Sequence, residues 1–257
     1  LLIPLLARLA PALAKRPVNA AVLFSGDEER GTASVTHFLA LPRGRTIGRA
    51  IVCEPTGRVA GIAHRGMLAQ RAHVVGTGGH SSNADKMPRP LAKLGKLAVA
   101  LDELAQGRLH DGVPGMYGLC LNLATLTGGV AFNVVPSDAE LTWSIRPWPG
   151  FDRDDWDRAI GALLRGLDPS IELTTFVDHA PFACAQPDQV TSLVGRAVTK
   201  VTHLDFWTEA ALYQAAGIPA IVVGPGSIAQ AHAPDEWVSI DDLGWAVELF
   251  TSIFARG

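Results

Sequence analysis

Three adjacent acids, Asp27, Glu28 and Glu29, stand in the run Ser25-Gly26-Asp27-Glu28-Glu29-Arg30-Gly31. They directly follow an apolar run, AAVLF at 20–24. Carboxylates this close repel one another, and a multivalent cation would relieve the repulsion. In open α/β sheets, ligands and catalytic groups collect just beyond the carboxyl ends of strands. The ordinary alternative is a solvated acidic turn entering a helix, where the dipole favours negative charge. Glu54, in Cys53-Glu54-Pro55-Thr56, follows a second apolar run, AIVC at 50–53. His232, in Gln230-Ala231-His232-Ala233-Pro234-Asp235-Glu236, comes shortly after a third, AIVV at 220–223. Imidazole and carboxylate together are a donor set of hydrolytic zinc sites. Each residue alone also has a structural explanation: a helix cap, a surface ion pair or an ordinary histidine. Gly224-Pro225-Gly226-Ser227 lacks the GxxxxGK[ST] pattern, so a nucleotide loop is a poor reading.

The three apolar runs read as strands buried on both faces, which places them in a parallel or mixed α/β sheet. A helix capped by Asp188 is expected to carry Val190, Leu193, Val194 and Val198. The last helix has a stripe of Leu243, Ala246, Val247, Phe250 and Phe254. Leu2, Leu5, Leu6 and Leu9 fall on one face of a further helix within 1–15. The middle of the chain has a different rhythm. Leu141, Trp143 and Ile145 alternate with polar residues, as in a strand with one wet face. Strands are also expected at 68–74 and 119–126, with helices on Leu91, Leu94, Leu97, Leu101 and Leu104 and on Trp156, Ile160, Leu163 and Leu164. The order strand, helix, strand, strand, helix, strand is that of a ferredoxin-like sandwich. The expected fold is α/β: a larger domain of residues 1–65 and 178–257, with a small α+β domain, 66–177, inserted.

The composition narrows the function classes. The 257 residues are 48% hydrophobic and 18% charged, with a net charge of -3, so a packed core is expected and disorder is not. No basic block suggests a nucleic acid or an anionic membrane as partner. Cys53, Cys120 and Cys184 are dispersed and form no CxxC pair, so no disulfide framework is expected and a cytoplasmic location fits. The opening LLIPLLARLAPALAKRP is not a signal-peptide pattern, and no run is long enough to span a membrane.

Seven motifs in order, SGDEERG, CEPT, GTGGHSS, FNVVP, SIRPWPG, DFWTEA and GPGSIAQAHAPDE, resemble the acetylornithine deacetylase and succinyl-diaminopimelate desuccinylase family of zinc metallohydrolases. The resemblance covers essentially the whole chain. It implies a zinc-exopeptidase-like catalytic domain whose inserted ferredoxin-like domain is a lid and dimer surface. It implies Glu28 as general base on a metal-bridged water, and Glu29, Glu54 and His232 as metal ligands. The metal would be two Zn2+, with Co2+ or Mn2+ as substitutes. His80 would stabilise the oxyanion in a partner subunit's site. Arg146 would clamp the substrate's α-carboxylate, a task suited to a bidentate fork. Asn133, Thr208, Glu209, Gly226 and Ser227 would contact substrate.

The family pattern also includes an HxD motif and a bridging aspartate upstream, and neither is present. No histidine precedes His37 and no aspartate precedes Asp27. These residues alone are therefore expected not to hold two zinc ions tightly and to be inactive by themselves. The implied activity is deacylation of an N-acyl amino acid such as N-acetylornithine, by a homodimer. N-acetylcitrulline is the alternative substrate, with Trp207 shaping a pocket for a neutral tail. A non-catalytic amino-acid-binding homologue is the alternative class.

Overall fold

The computed structural model describes residues 7, 8, 10, 11, 19–198 and 200–256. The leucine face expected within 1–15 lies outside the described residues. The chain divides into two compact units: Leu1–His64, Phe182–Leu204 and Thr208–Gly257 form unit 1, and Arg65–Pro181 with Asp205–Trp207 form unit 2. Unit 1 opens with α1 (Ala33–Ala40), β1 (Ala50–Val52) and β2 (Ala60–His64). Unit 2 follows with β3 (Met67–Val75), β4 (Gly79–His80), α2 (Pro90–Gln106), β5 (Gly112–Val113) and β6 (Met116–Tyr117). It continues through β7 (Asn122–Gly128), β8 (Val134–Val135), β9 (Asp138–Ile145), α3 (Arg153–Leu167) and β10 (Glu172–His179). Unit 1 resumes with β11 (Phe182–Ala183), α4 (Pro187–Val194), β12 (Val201–Leu204), α5 (Ala210–Ala215), β13 (Ala220–Val222) and α6 (Ile240–Arg256).

The sheet of unit 1 is mixed. β1 runs parallel to β13, with Ala50 opposite Ala220 and Val52 opposite Val222. β12 pairs parallel with β2, while β13 and β11 pair with β2 antiparallel. Ala60, Ile221 and Val223 pack against Val190 and Val194 of α4 and Leu249 of α6. The apolar runs at 50–53 and 220–223 thus become neighbours in one sheet. The run at 20–24 does not form the expected strand. Val22, Leu23 and Phe24 are exposed. An extended run becomes a strand only when a neighbour accepts and donates its ladder bonds, and no described strand pairs with this one. The helix expected behind Asp188 forms, but its N-cap is Gln186. Pro187 takes the first position, where its fixed φ suits a helix and its missing N–H costs nothing. Asp188 lies in the first turn, and the helix stops at Gly195, φ +53°, so Val198 lies beyond it.

The main sheet of unit 2 has the order β10-β3-β9-β7, all antiparallel. One face carries Leu68, Leu141, Trp143 and Ile145 into a core with Leu94, Leu97 and Leu101 of α2 and Trp156, Ile160 and Leu164 of α3. Asp152 caps α3 by accepting from Asp155 N at 2.8 Å. Trp156 Nε1 donates to the buried Gln70 Oε1 at 3.0 Å, which satisfies the indole. β7 begins at Asn122 rather than at Leu119, because Cys120, at φ +49°, breaks the extended backbone between them.

The chain leaves unit 1 after His64, returns at Phe182, and crosses again for three residues. Trp207 stacks on His179, with ring centroids 4.5 Å apart, and donates from Nε1 to Ala180 O at 3.2 Å. Gly66 lies against the returning segment: a Cβ there would stand 2.4 Å from His179 O. Among the described residues no helix is long and apolar enough to cross a membrane.

Candidate active site

The acidic turn divides its labour. Asp27 O accepts from Arg30 N and Gly31 N, closing the turn. The Asp27 carboxylate accepts from Ala33 N at 2.9 Å and Ser34 N at 3.2 Å at the start of α1. The Ser34 side chain, more than these amides, holds the Asp27 carboxyl below the ordinary carboxylate range. Asp27 is thus the structural acid, as the helix-dipole alternative describes. A cleft of about 480 Å³ is lined by the turn from Ser25 to Arg30 and by Glu54.

Glu28, Glu29, Glu54 and Glu209 crowd together. Burial, then Glu29 and Glu209, raises the proton affinity of Glu28. Glu54 is pushed up to about 7, first by burial, then by Glu28, Glu209 and Glu29. Glu54 stands at the end of β1, and the end of β13 runs beside it. Gly224 is required there, because a Cβ would lie 2.5 Å from Glu54 O. Gly224 N donates to Thr56 Oγ1 at 3.1 Å, and Gly57 N donates to Gly226 O at 2.7 Å. These bonds place Gly226 (φ +80°) and Ser227 beside the Glu54 turn. Thr208 and Glu209 are buried just ahead of α5. Ser25 Oγ donates to Glu209 Oε2 at 2.8 Å, while Glu209 Oε1 is buried with no hydrogen-bond partner among the described residues.

His232 Nε2 lies 3.4 Å from Glu29 Oε1, and both side chains are exposed. His232 adopts φ +59°, the left-handed region that non-glycine residues rarely enter. Carboxylate repulsion, the orphaned Glu209 oxygen and the Glu29–His232 pair suit a divalent cation in donor chemistry. The set does not close: among the described residues no group of three His, Cys, Asp or Glu side chains is arranged to hold a metal. Glu29 and His232 meet at the solvent-exposed rim, whereas Glu54 is half-buried beside other acids.

The other expected residues belong to unit 2. His80 and Asn133 come together: β4 pairs with β8, setting His80 opposite Val134, and Ser81 N donates to Asn133 O at 3.0 Å. His80 Nδ1 accepts from Ser82 N at 3.2 Å and lies 2.9 Å from Ser82 Oγ, which orders the turn. Arg146 stands just past β9, apart from that ladder. Burial lowers its proton affinity, and among the described residues no carboxylate pairs with its guanidinium. Sequence reasoning missed two roles. Ser25 was legible only as part of a motif, and its partner lies 184 positions away. Arg65, a buried arginine between His64 and Gly66, carried one signal: a charge beside the expected domain boundary.

The sequence pattern of peptidase family M20/M25/M40 matches residues 1–256. The chain is 33% identical over 242 residues to an N-acetyl-L-citrulline deacetylase of Xanthomonas campestris pv. campestris, covering 90% of this chain and 64% of that protein. It is 30% identical over 244 residues to an acetylornithine deacetylase of Pectobacterium carotovorum subsp. carotovorum, covering 90% of this chain and 62% of that one. The chain thus spans somewhat under two thirds of these relatives' lengths. Among solved structures it resembles an M20 family metallo-carboxypeptidase of Sulfolobus solfataricus, with TM-score 0.76, 16% identity, and coverage of 98% of this chain and 74% of that one. It also resembles the aminopeptidase PepT of Bacillus cereus, with TM-score 0.67, 16% identity, and coverage of 98% and 69%. These two likenesses concern the fold.

Proposed function

The chain belongs to peptidase family M20/M25/M40, and from that premise we propose that the intact protein is a metal-dependent deacylase of N-acyl amino acids. One observation carries the reading. Glu28, Glu54 and Glu209, all with raised proton affinity, crowd one region beside the Glu29–His232 pair. Glu29, Glu54 and His232 would hold the metal from this chain, zinc being the expected ion. A bound divalent cation would polarise the scissile carbonyl and lower the pKa of water. Glu28 takes a proton from the attacking water and passes it to the departing amide nitrogen. A carboxylate with raised proton affinity suits that exchange near neutral pH.

Unit 2 is read as an inserted ferredoxin-like lid that also forms the homodimer surface. Its Arg146 receives the substrate's α-carboxylate. His80 stabilises the oxyanion in the partner subunit's site, and Asn133 contacts substrate. Thr208, Glu209, Gly226 and Ser227 shape the pocket of unit 1. N-acetylornithine is the favoured substrate and N-acetylcitrulline its close rival, in keeping with the names of the similar proteins. A cytoplasmic enzyme of amino-acid metabolism would fit this chemistry.

The test is acyl release by the zinc-loaded intact protein from N-acetylornithine, N-acetylcitrulline and succinyl-diaminopimelate. Either acetylated substrate should give the highest kcat/KM, and Glu28→Gln should lower kcat by ~10²-fold or more. No release from any substrate, with zinc bound, would reject the hydrolase. The alternative class is a non-catalytic amino-acid-binding homologue. It would be seen as ligand binding without turnover.

A further inference from the structure

Arg65 is the first residue of unit 2, and only 3% of its side chain is exposed. A guanidinium so buried is costly unless its N–H groups find acceptors. Nη1 donates to Gly118 O at 2.8 Å and to Arg146 O at 3.0 Å. Nη2 donates to Tyr117 O at 2.8 Å. Nε donates to Asp205 Oδ1 at 3.1 Å. The Asp205 side chain is mostly in solvent, so screening weakens the ion pair. The other three acceptors are backbone carbonyls, drawn from two separate segments. The fork of one arginine stitches residues 117–118 to residue 146.

That stitch matters because of where Arg146 stands. β9 ends at Ile145, so the sheet ladder stops one residue short of it. Leu119 O, accepting from Arg146 N, and Arg65 Nη1, donating to Arg146 O, fix its peptide groups. The segment that supplies Leu119 is itself a tight turn. Gly118 has φ +73° and Cys120 φ +49°. Arg65 holds that turn through the Tyr117 and Gly118 carbonyls. We infer that Arg65 is a positioning residue, which fixes the backbone of Arg146 and so the direction of the guanidinium that receives the substrate's α-carboxylate. The inference rests on the reading of Arg146 as that clamp. Bidentate pairing is directional, so a shift at residue 146 weakens carboxylate recognition and leaves the acidic cluster of unit 1 as it was. Lysine cannot replace the fork. A single ammonium has no planar fork to serve carbonyls on two segments and Asp205 together.

The experiment compares the intact zinc-loaded protein with its Arg65→Lys, Arg65→Met and Asp205→Asn variants. Two substrates are used: the N-acetyl amino acid and its α-carboxamide analogue. Arg65→Lys should raise KM for the carboxylate substrate ~10-fold, with kcat within about twofold and KM for the carboxamide unchanged. Asp205→Asn, which keeps the three carbonyl bonds, should shift KM less and in the same direction; it and Arg65→Lys stand if Arg65→Met fails to fold. An equal rise in KM on both substrates, or a fall in kcat with KM unmoved, would overturn the inference.

Site-resolved alkylation of the exposed Cys120 gives a readout without turnover. Arg65→Lys should speed its labelling several-fold by loosening the 117–120 turn, with labelling of Cys53 unchanged. An unchanged Cys120 rate overturns the inference. If the unsubstituted protein hydrolyses nothing, the hydrolase reading fails, while the Cys120 rate still reports on the hold of Arg65.

Discussion

Ser25 Oγ donates a 2.8 Å hydrogen bond to Glu209 Oε2, joining residues 184 positions apart. The bond ties the acidic turn to the start of α5. It also satisfies one oxygen of a buried carboxylate whose other oxygen has no hydrogen-bond partner among the described residues.

Ser25→Ala should therefore destabilise the protein by about 1–2 kcal/mol, because it leaves a second buried acceptor unsatisfied. Glu209→Gln should cost less, or stabilise. The amide oxygen still accepts from Ser25, and a buried charge that raises the proton affinity of its neighbours is gone. Denaturant unfolding at neutral pH compares the two; a larger loss for Glu209→Gln would contradict this.

The metal-free protein should lose stability as pH rises from about 5 to 8. Glu54 has its carboxyl pushed up from 4.5 to about 7 by burial and by Glu28, Glu209 and Glu29. A raised carboxyl favours the folded state fully below the unfolded pKa, and that contribution is lost as pH rises through the folded one. Glu54→Gln removes this linkage. The variant should gain on the parent by on the order of 1 kcal/mol at pH 8, and by little at pH 4, after discounting for partial exposure. Parallel unfolding curves at both pH values check the sign.

How much of this could be read from the sequence depended on whether a signal was local. The alternation at Leu141, Trp143 and Ile145 reports burial on one face of β9, and all three are buried. The runs at 50–53 and 220–223 likewise become adjacent parallel strands. The run at 20–24 has the same local character and is not a strand, because strand formation needs a partner that composition does not reveal. At the site, acids at strand ends could be named, but their separate tasks could not. The task of Asp27 is set by the amides of residues 33 and 34, and that of Arg65 by carbonyls more than 50 positions away.

Gly224→Ala should destabilise unit 1 by about 2–3 kcal/mol. The added Cβ would meet Glu54 O at 2.5 Å and Cys53 Sγ at 3.1 Å, so the backbone carrying Glu54 must move. Thermal unfolding gives the loss. The Glu54→Gln gain at pH 8 should shrink on this background, since the displaced carboxylate is less crowded.

Residues 1–257 by themselves should bind fewer than two zinc ions tightly, since among the described residues no three donors converge. Equilibrium dialysis followed by metal analysis measures the stoichiometry, and two tightly held ions per chain would refute it.

If the intact protein is a homodimer in which His80 acts across subunits, inactive variants should complement one another. Mixing His80→Ala with Glu28→Ala subunits should restore activity at one of the two sites in each heterodimer. No recovery above either variant alone would assign His80 to its own subunit.

The brief return of the chain at Asp205–Trp207 bears on modularity. Unit 2 is not a cassette that two cuts can free. Excising residues 65–181 would strip Trp207 from the face of His179 and Asp205 from Arg65. Anyone grafting this unit onto another scaffold must carry a tripeptide from elsewhere in the chain, or rebuild the bare surface its loss leaves.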